Sequence, residues 1–77
     1  MKEIENKLKE LNEEIGKTNW WIETISNDII ERHKEKRDAY GAELALSDNL
    51  QRKKKLTKEV MILENAQNIL LGMEVND

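Results

Sequence analysis

The side chains that could do chemistry in this 77-residue chain are few. His33 is the only histidine, and there is no cysteine. A thiol nucleophile and a cysteine-ligated metal are therefore excluded. His33 stands between Arg32 and Lys34, with Ile29 one turn before it and Arg37 one turn after. No second imidazole or carboxylate shares its helical face, so neither a metal pair nor an oriented catalytic dyad can form there. Carboxylates at helical spacing, such as Glu10 and Glu14, read as a solvated helix face. The pattern predicts no enzyme, no cofactor and no metal.

Two other groups carry more information. Arg32, Lys34, Lys36 and Arg37 form one basic cluster, and Arg52, Lys53, Lys54, Lys55 and Lys58 a second. Brought together they would make a surface able to engage phosphates. The plainer reading is that these side chains keep helices soluble and pair with Glu35, Asp38, Glu43 and Asp48. Tyr40 is the only aromatic nearby, so stacking-based readout of single strands is not supported. The second group is the adjacent pair Trp20 and Trp21. Neighbouring helical positions point about 100° apart, so the two cannot share a seam. Trp21 lies four residues before Ile25 at the edge of the apolar stripe and is expected in the core. Trp20 falls on the far side, either as an anchor for a binding partner or lying back over Gly16.

The elements that position these groups are helical. There are three glycines and no proline, and 38% of residues are hydrophobic against 38% charged. That composition lacks the regularly spaced turn signals of an all-β fold. Ile4, Leu8, Leu11, Ile15, Ile22, Ile25 and Ile29 recur at steps of three, four and seven, with Thr18 in the skipped position. This is a heptad seam, the mark of a coiled-coil-like helix. In the second half Leu56, Val60, Leu63, Ala66, Leu70 and Met73 form a stripe, flanked by Ile62, Ile69 and Leu71. Its apolar arc covers about 200° of the helix, more than one neighbouring helix can bury. Glu59 and Gln67 interrupt that arc with polar groups.

The resulting expectation is a single all-α domain: an antiparallel helical hairpin with helices at about 2–40 and 48–73 and an acidic tail at 74–77. The turn is expected within 38–47, with Gly41 ending the first helix and Ser47 or Asp48 capping the second. An unbroken helix through Gly41 is the alternative. Two helices alone bury little surface against their ordering entropy. Assembly into a four-helix bundle or coiled-coil dimer, or docking on another protein, is therefore expected.

Charge is unevenly distributed along the chain. Residues 1–31 hold four basic and eight acidic side chains, residues 32–58 nine and four, and residues 59–77 none and four. The local balances are −4, +5 and −4, for a net −3. The longest apolar run, 60–63, is far below the ~20 residues a membrane span needs. No signal-peptide core is visible, and a cytoplasmic protein is expected. The leading functional expectation is a small non-enzymatic interaction protein, a homodimer or a binder of another protein, acting through Trp20, Ile62, Ile69 and Leu71. The alternative is a nucleic-acid-binding regulator using both basic clusters near the hairpin tip. A purely structural coiled-coil scaffold is a third reading.

Overall fold

The computed structural model describes residues 2–75. It contains two α-helices, α1 (Lys2–Lys34) and α2 (Tyr40–Val75). At 1.5 Å per residue, α2 alone is about 54 Å long, yet the whole molecule measures 65 × 14 × 14 Å. The helices therefore fold back on each other along their full length. The expected hairpin is present, and the unbroken helix is not.

The seam of α1 packs as its spacing predicts. Ile4, Leu8, Leu11, Ile15, Thr18, Ile22, Ile25 and Ile29 are all buried or half-buried, and no other α1 residue except Ser26 and Arg32 is shielded. Opposite them, Ala42, Leu46, Asn49, Lys53, Leu56, Val60, Leu63 and Gln67 recur at alternating steps of four and three, each shielded from solvent. Both helices thus present a shielded seam of heptad spacing, and the two seams pack against each other as an antiparallel hairpin. The best-buried layer joins Leu11 to Leu56 and Val60, with Leu8, Ile15 and Leu63 packed around them. Toward the tip the α2 seam turns small and polar at Ala42, Asn49 and Lys53. Thr18, the buried polar residue of α1, donates its hydroxyl to the Glu14 carbonyl at 2.8 Å. Asn49 likewise donates its side-chain N–H to the Ala45 carbonyl at 2.8 Å. Each of these groups is satisfied within its own helix, and among the described residues no buried side-chain nitrogen or oxygen lacks a hydrogen-bond partner.

The turn lies at 35–39, earlier than the spacing of Gly41 and Asp48 suggests. α1 stops because its apolar stripe ends at Ile29 and the next seam position is Arg32. The chain reverses at Lys36, which adopts a left-handed φ of 56°. The Arg37 N–H then donates to the Arg32 carbonyl at 2.8 Å and the Lys36 N–H to the His33 carbonyl at 3.2 Å. That pair of bonds closes the helix end as a Schellman motif with a lysine where glycine is usual. Asp38 caps α2 by accepting the Tyr40 N–H on its Oδ1 at 3.1 Å. Arg32 locks the corner: its Nε donates to Asp28 Oδ2 at 2.9 Å and its Nη1 to the Asp38 carbonyl at 3.2 Å.

Gly41 is thus inside the first turn of α2 rather than a helix stop, and Ser47 and Asp48 lie mid-helix. Asp38→Ala removes one cap bond and should cost about 1 kcal/mol, read as a lower urea midpoint with unchanged helicity of the folded state. Asp48→Ala should cost less than half of that, because its position caps nothing. The expected acidic tail at 74–77 is helical through Val75; positions 76–77 lie outside the described residues.

Candidate interaction surface

The residues expected to form a site divide according to the turn. With the reversal at 35–39, Arg32, Lys34, Lys36 and Arg37 cluster at the tip. The second cluster begins twelve residues into α2, about 18 Å further along the rod. Arg52 meets Glu14, not the tip, with Nη2 to Oε2 at 3.3 Å across the helices. The single positive patch expected near the tip is therefore not formed. It would have needed a turn near residue 43.

Both arginines of the tip cluster are also paired with carboxylates. Arg32 pairs with Asp28, Arg37 with Glu35, and His33 Nε2 lies 3.6 Å from Glu43 Oε1. In the second cluster Lys53 occupies a seam position and is half-shielded, Lys54 and Lys58 stand exposed on the outer side of α2, and Lys55, seven residues before Ile62, is exposed on the flank that holds Ile62. Lys54 and Lys58 border a shallow depression of about 460 Å³ with Leu50, Thr57 and Met61.

Trp21 is not in the core. It is 51% exposed, Trp20 is 58% exposed, and their rings meet edge to face at 4.8 Å and 78°. The seam positions on either side are Thr18 and Ile22, so position 21 falls on the flank of α1 and has no apolar partner across the hairpin. Trp20 points away from α2, as its spacing predicts.

The apolar arc of α2 is largely uncovered. Ile62 is 58% and Ile69 64% exposed, and Met61, Leu70, Leu71 and Met73 are exposed as well. Ile62, Ala66, Ile69 and Met73 follow steps of four, three and four, and so share one flank. Leu71 stands nine residues from Ile62, half a revolution around the helix, and belongs to the opposite flank. The four expected partner-binding residues therefore do not form one surface. Ile62 and Ile69 do.

The flank holding Ile62 continues across the hairpin. On α1 it is marked by Lys7, Glu14, Trp21 and Asp28, and on α2 by Ala45, Arg52, Glu59, Ala66 and Met73, each series recurring every seventh residue. Three interhelical grooves open along this broad face. One at the tip, of about 590 Å³, is lined by Thr24, Ile25, Asp28, Gly41, Ala42 and Ala45, among others. A central one of about 180 Å³ lies between Trp21, Glu14, Asn49 and Arg52. The third, about 380 Å³, lies at the open end between Lys7, Glu59, Ile62 and Leu63. The regularity of the Lys7–Asp28 stripe could have been read from the sequence. Its mixed chemistry (a lysine, a carboxylate, an indole and another carboxylate) gave no periodic signal.

Among the described residues no group of His, Asp and Glu side chains gathers as metal ligands, and no helix is long and apolar enough to cross a membrane. No protein-family model, curated protein or solved structure matches this chain.

Proposed function

We propose that the chain is a small non-enzymatic helical interaction protein that acts by docking the Ile62–Ile69 flank of α2 on a protein surface, its own or another's. The observation that carries this reading is the exposure of large aliphatic side chains on a helix whose opposite face is already in the core. The molecule exposes 6270 Å², against about 4,900 Å² for a compact globular monomer of its 9.1 kDa mass. Isolated exposed apolar residues are ordinary; a periodic apolar flank marks an interaction site.

The test is the double substitution Ile62→Asp with Ile69→Asp. Both side chains lie outside the Leu11, Leu56 and Val60 layer, so the hairpin's helicity by circular dichroism should persist. Association, with itself or with a purified partner, should weaken on the order of a hundredfold. A wild-type chain that associates with nothing, or a double variant that associates as well as wild type, would sink the reading.

A further inference from the structure

Resting on that reading, we propose that the surface docked on Ile62 and Ile69 belongs to an acidic amphipathic helix of a partner protein, whose carboxylates meet Lys54, Lys55 and Lys58. The outer side of α2 and the flank beside it carry basic and apolar groups along the same lines. Lys54 stands seven residues before Met61, Lys55 seven before Ile62, and Lys58 one turn before Ile62. Residues at these spacings lie nearly in line along a helix. All of these side chains are exposed, as is Ile69. They form one strip, basic toward the tip and apolar about 10 Å further on.

No carboxylate stands on that strip. Between Gln51 and Ile69 the acidic residues of α2 are Glu59 and Glu64, and they point about 100° and 120° away from Lys58, one to each side. Among the described residues none of the three lysines lies within ion-pair distance of a carboxylate. The outward side of α1 is different: Lys9 and Lys17 are interleaved with Glu10, Glu13 and Glu23, so positive charge is offset where it stands. Lys54 and Lys58 also border two adjoining depressions on α2. One, of about 460 Å³, is lined by Leu50, Thr57 and Met61; the other, of about 290 Å³, by Gln51 and Lys55. The first suits an apolar side chain and the second a carboxylate, next to each other.

The order of groups along the strip decides the class of partner. A phosphate backbone would answer the lysines but offers nothing to Met61, Ile62 and Ile69. A bilayer holds the residues of one line at one depth, so seating Ile62 and Ile69 among acyl chains would draw Lys55 and Lys58 in with them. A polypeptide changes its chemistry from one turn to the next and can meet both parts. Contacts that recur at steps of four and seven are those a second helix laid alongside reproduces.

The test is selection of a displayed library of random peptides, about 20 residues long so as to span the strip, on the folded chain. Selected peptides should be acidic, with apolar residues three and four apart. A synthetic copy should lose about tenfold in affinity for the Lys54→Glu, Lys58→Glu double variant, and should bind more weakly as salt rises. Lys9→Glu with Lys17→Glu makes the same change in net charge on α1 and should leave affinity within about twofold. Circular dichroism checks the fold of each variant. Duplex DNA and vesicles of equimolar phosphatidylserine and phosphatidylcholine are measured beside the peptide and should bind more weakly. Failure to select any peptide, equal losses in the two lysine pairs, or lysine-dependent binding of DNA or vesicles tighter than that of the peptide would overturn the proposal. Uncharged apolar peptides that need Ile62 and Ile69 would overturn the acidic partner while the docking reading stood. Peptides indifferent to Ile62→Asp with Ile69→Asp would sink both.

Discussion

Leu11→Ala is expected to cost about 3 kcal/mol, the largest loss of any single truncation in this chain. Leu11 is 4% exposed and meets Leu56 and Val60 in the one layer where buried residues from both helices join. Around it Leu8, Ile15 and Leu63 are only partly shielded, so little neighbouring bulk can move in to fill the space an alanine leaves. At about 0.05–0.15 kcal/mol per residue, a domain of this size has a total stability of roughly 4–12 kcal/mol. The truncation therefore removes a large share of it. Urea unfolding followed by circular dichroism should show a midpoint lowered by a quarter or more with an unchanged slope. Leu44→Ala is the control: Leu44 is half exposed on the outer side of α2, and its truncation should change stability by less than about 0.5 kcal/mol. Equal losses at the two positions would show that the seam is not where the hairpin is held together.

The second large effect is a gain. All three glycines lie within helices and none has a positive φ, so none is used for the freedom glycine alone possesses. The residue that does adopt a left-handed conformation is Lys36, where a side chain costs about 1 kcal/mol or more. Glycine thus stands where it weakens a helix and is missing where the chain reverses. Gly16→Ala should stabilise by about 1 kcal/mol, since an added Cβ there meets nothing within 4 Å. Lys36→Gly should add a comparable amount by relieving the turn. The two sites are twenty residues apart and share no contact, so the gains should add to about 2 kcal/mol. In a domain this small that corresponds to roughly 8–16 °C in Tm, compared at one protein concentration because association also shifts Tm. A loss of stability in Lys36→Gly would mean that the lysine side chain holds the corner, contrary to the backbone bonds that close it.

These two expectations mark where the chain's pattern is easy to read and where it is not. The stripe from Ile4 to Ile29 is legible because each apolar residue sits at a heptad position and nothing competes with it. The seam of α2 is legible only from Leu56 to Leu63. Nearer the turn it runs through Ala42, Asn49 and Lys53, residue types that also populate exposed faces. Lys53 in particular reads as one member of a basic run, yet it lies on the seam. Trp21 is hard to place for the opposite reason. Its size suggests burial, but its angular position puts it on a flank, and in a two-helix layer a flank stays open.

The amino-acid order was sufficient to specify helices, a hairpin and an apolar excess, because those follow from periodicity and composition within a single helix. The position of the reversal was not legible. It depends on a lysine accepting a left-handed backbone, on Arg32 bridging to the Asp38 carbonyl, and on Asp38 capping, none of which leaves a glycine or proline as a marker. A shift of the turn by a few residues slides one helix along the other. That slide separates the two basic clusters, brings Arg52 to Glu14, and decides that Ile62 and Ile69 face outward on the grooved side. Register is a property of the packed pair, and it is register that converts a list of exposed residues into a surface.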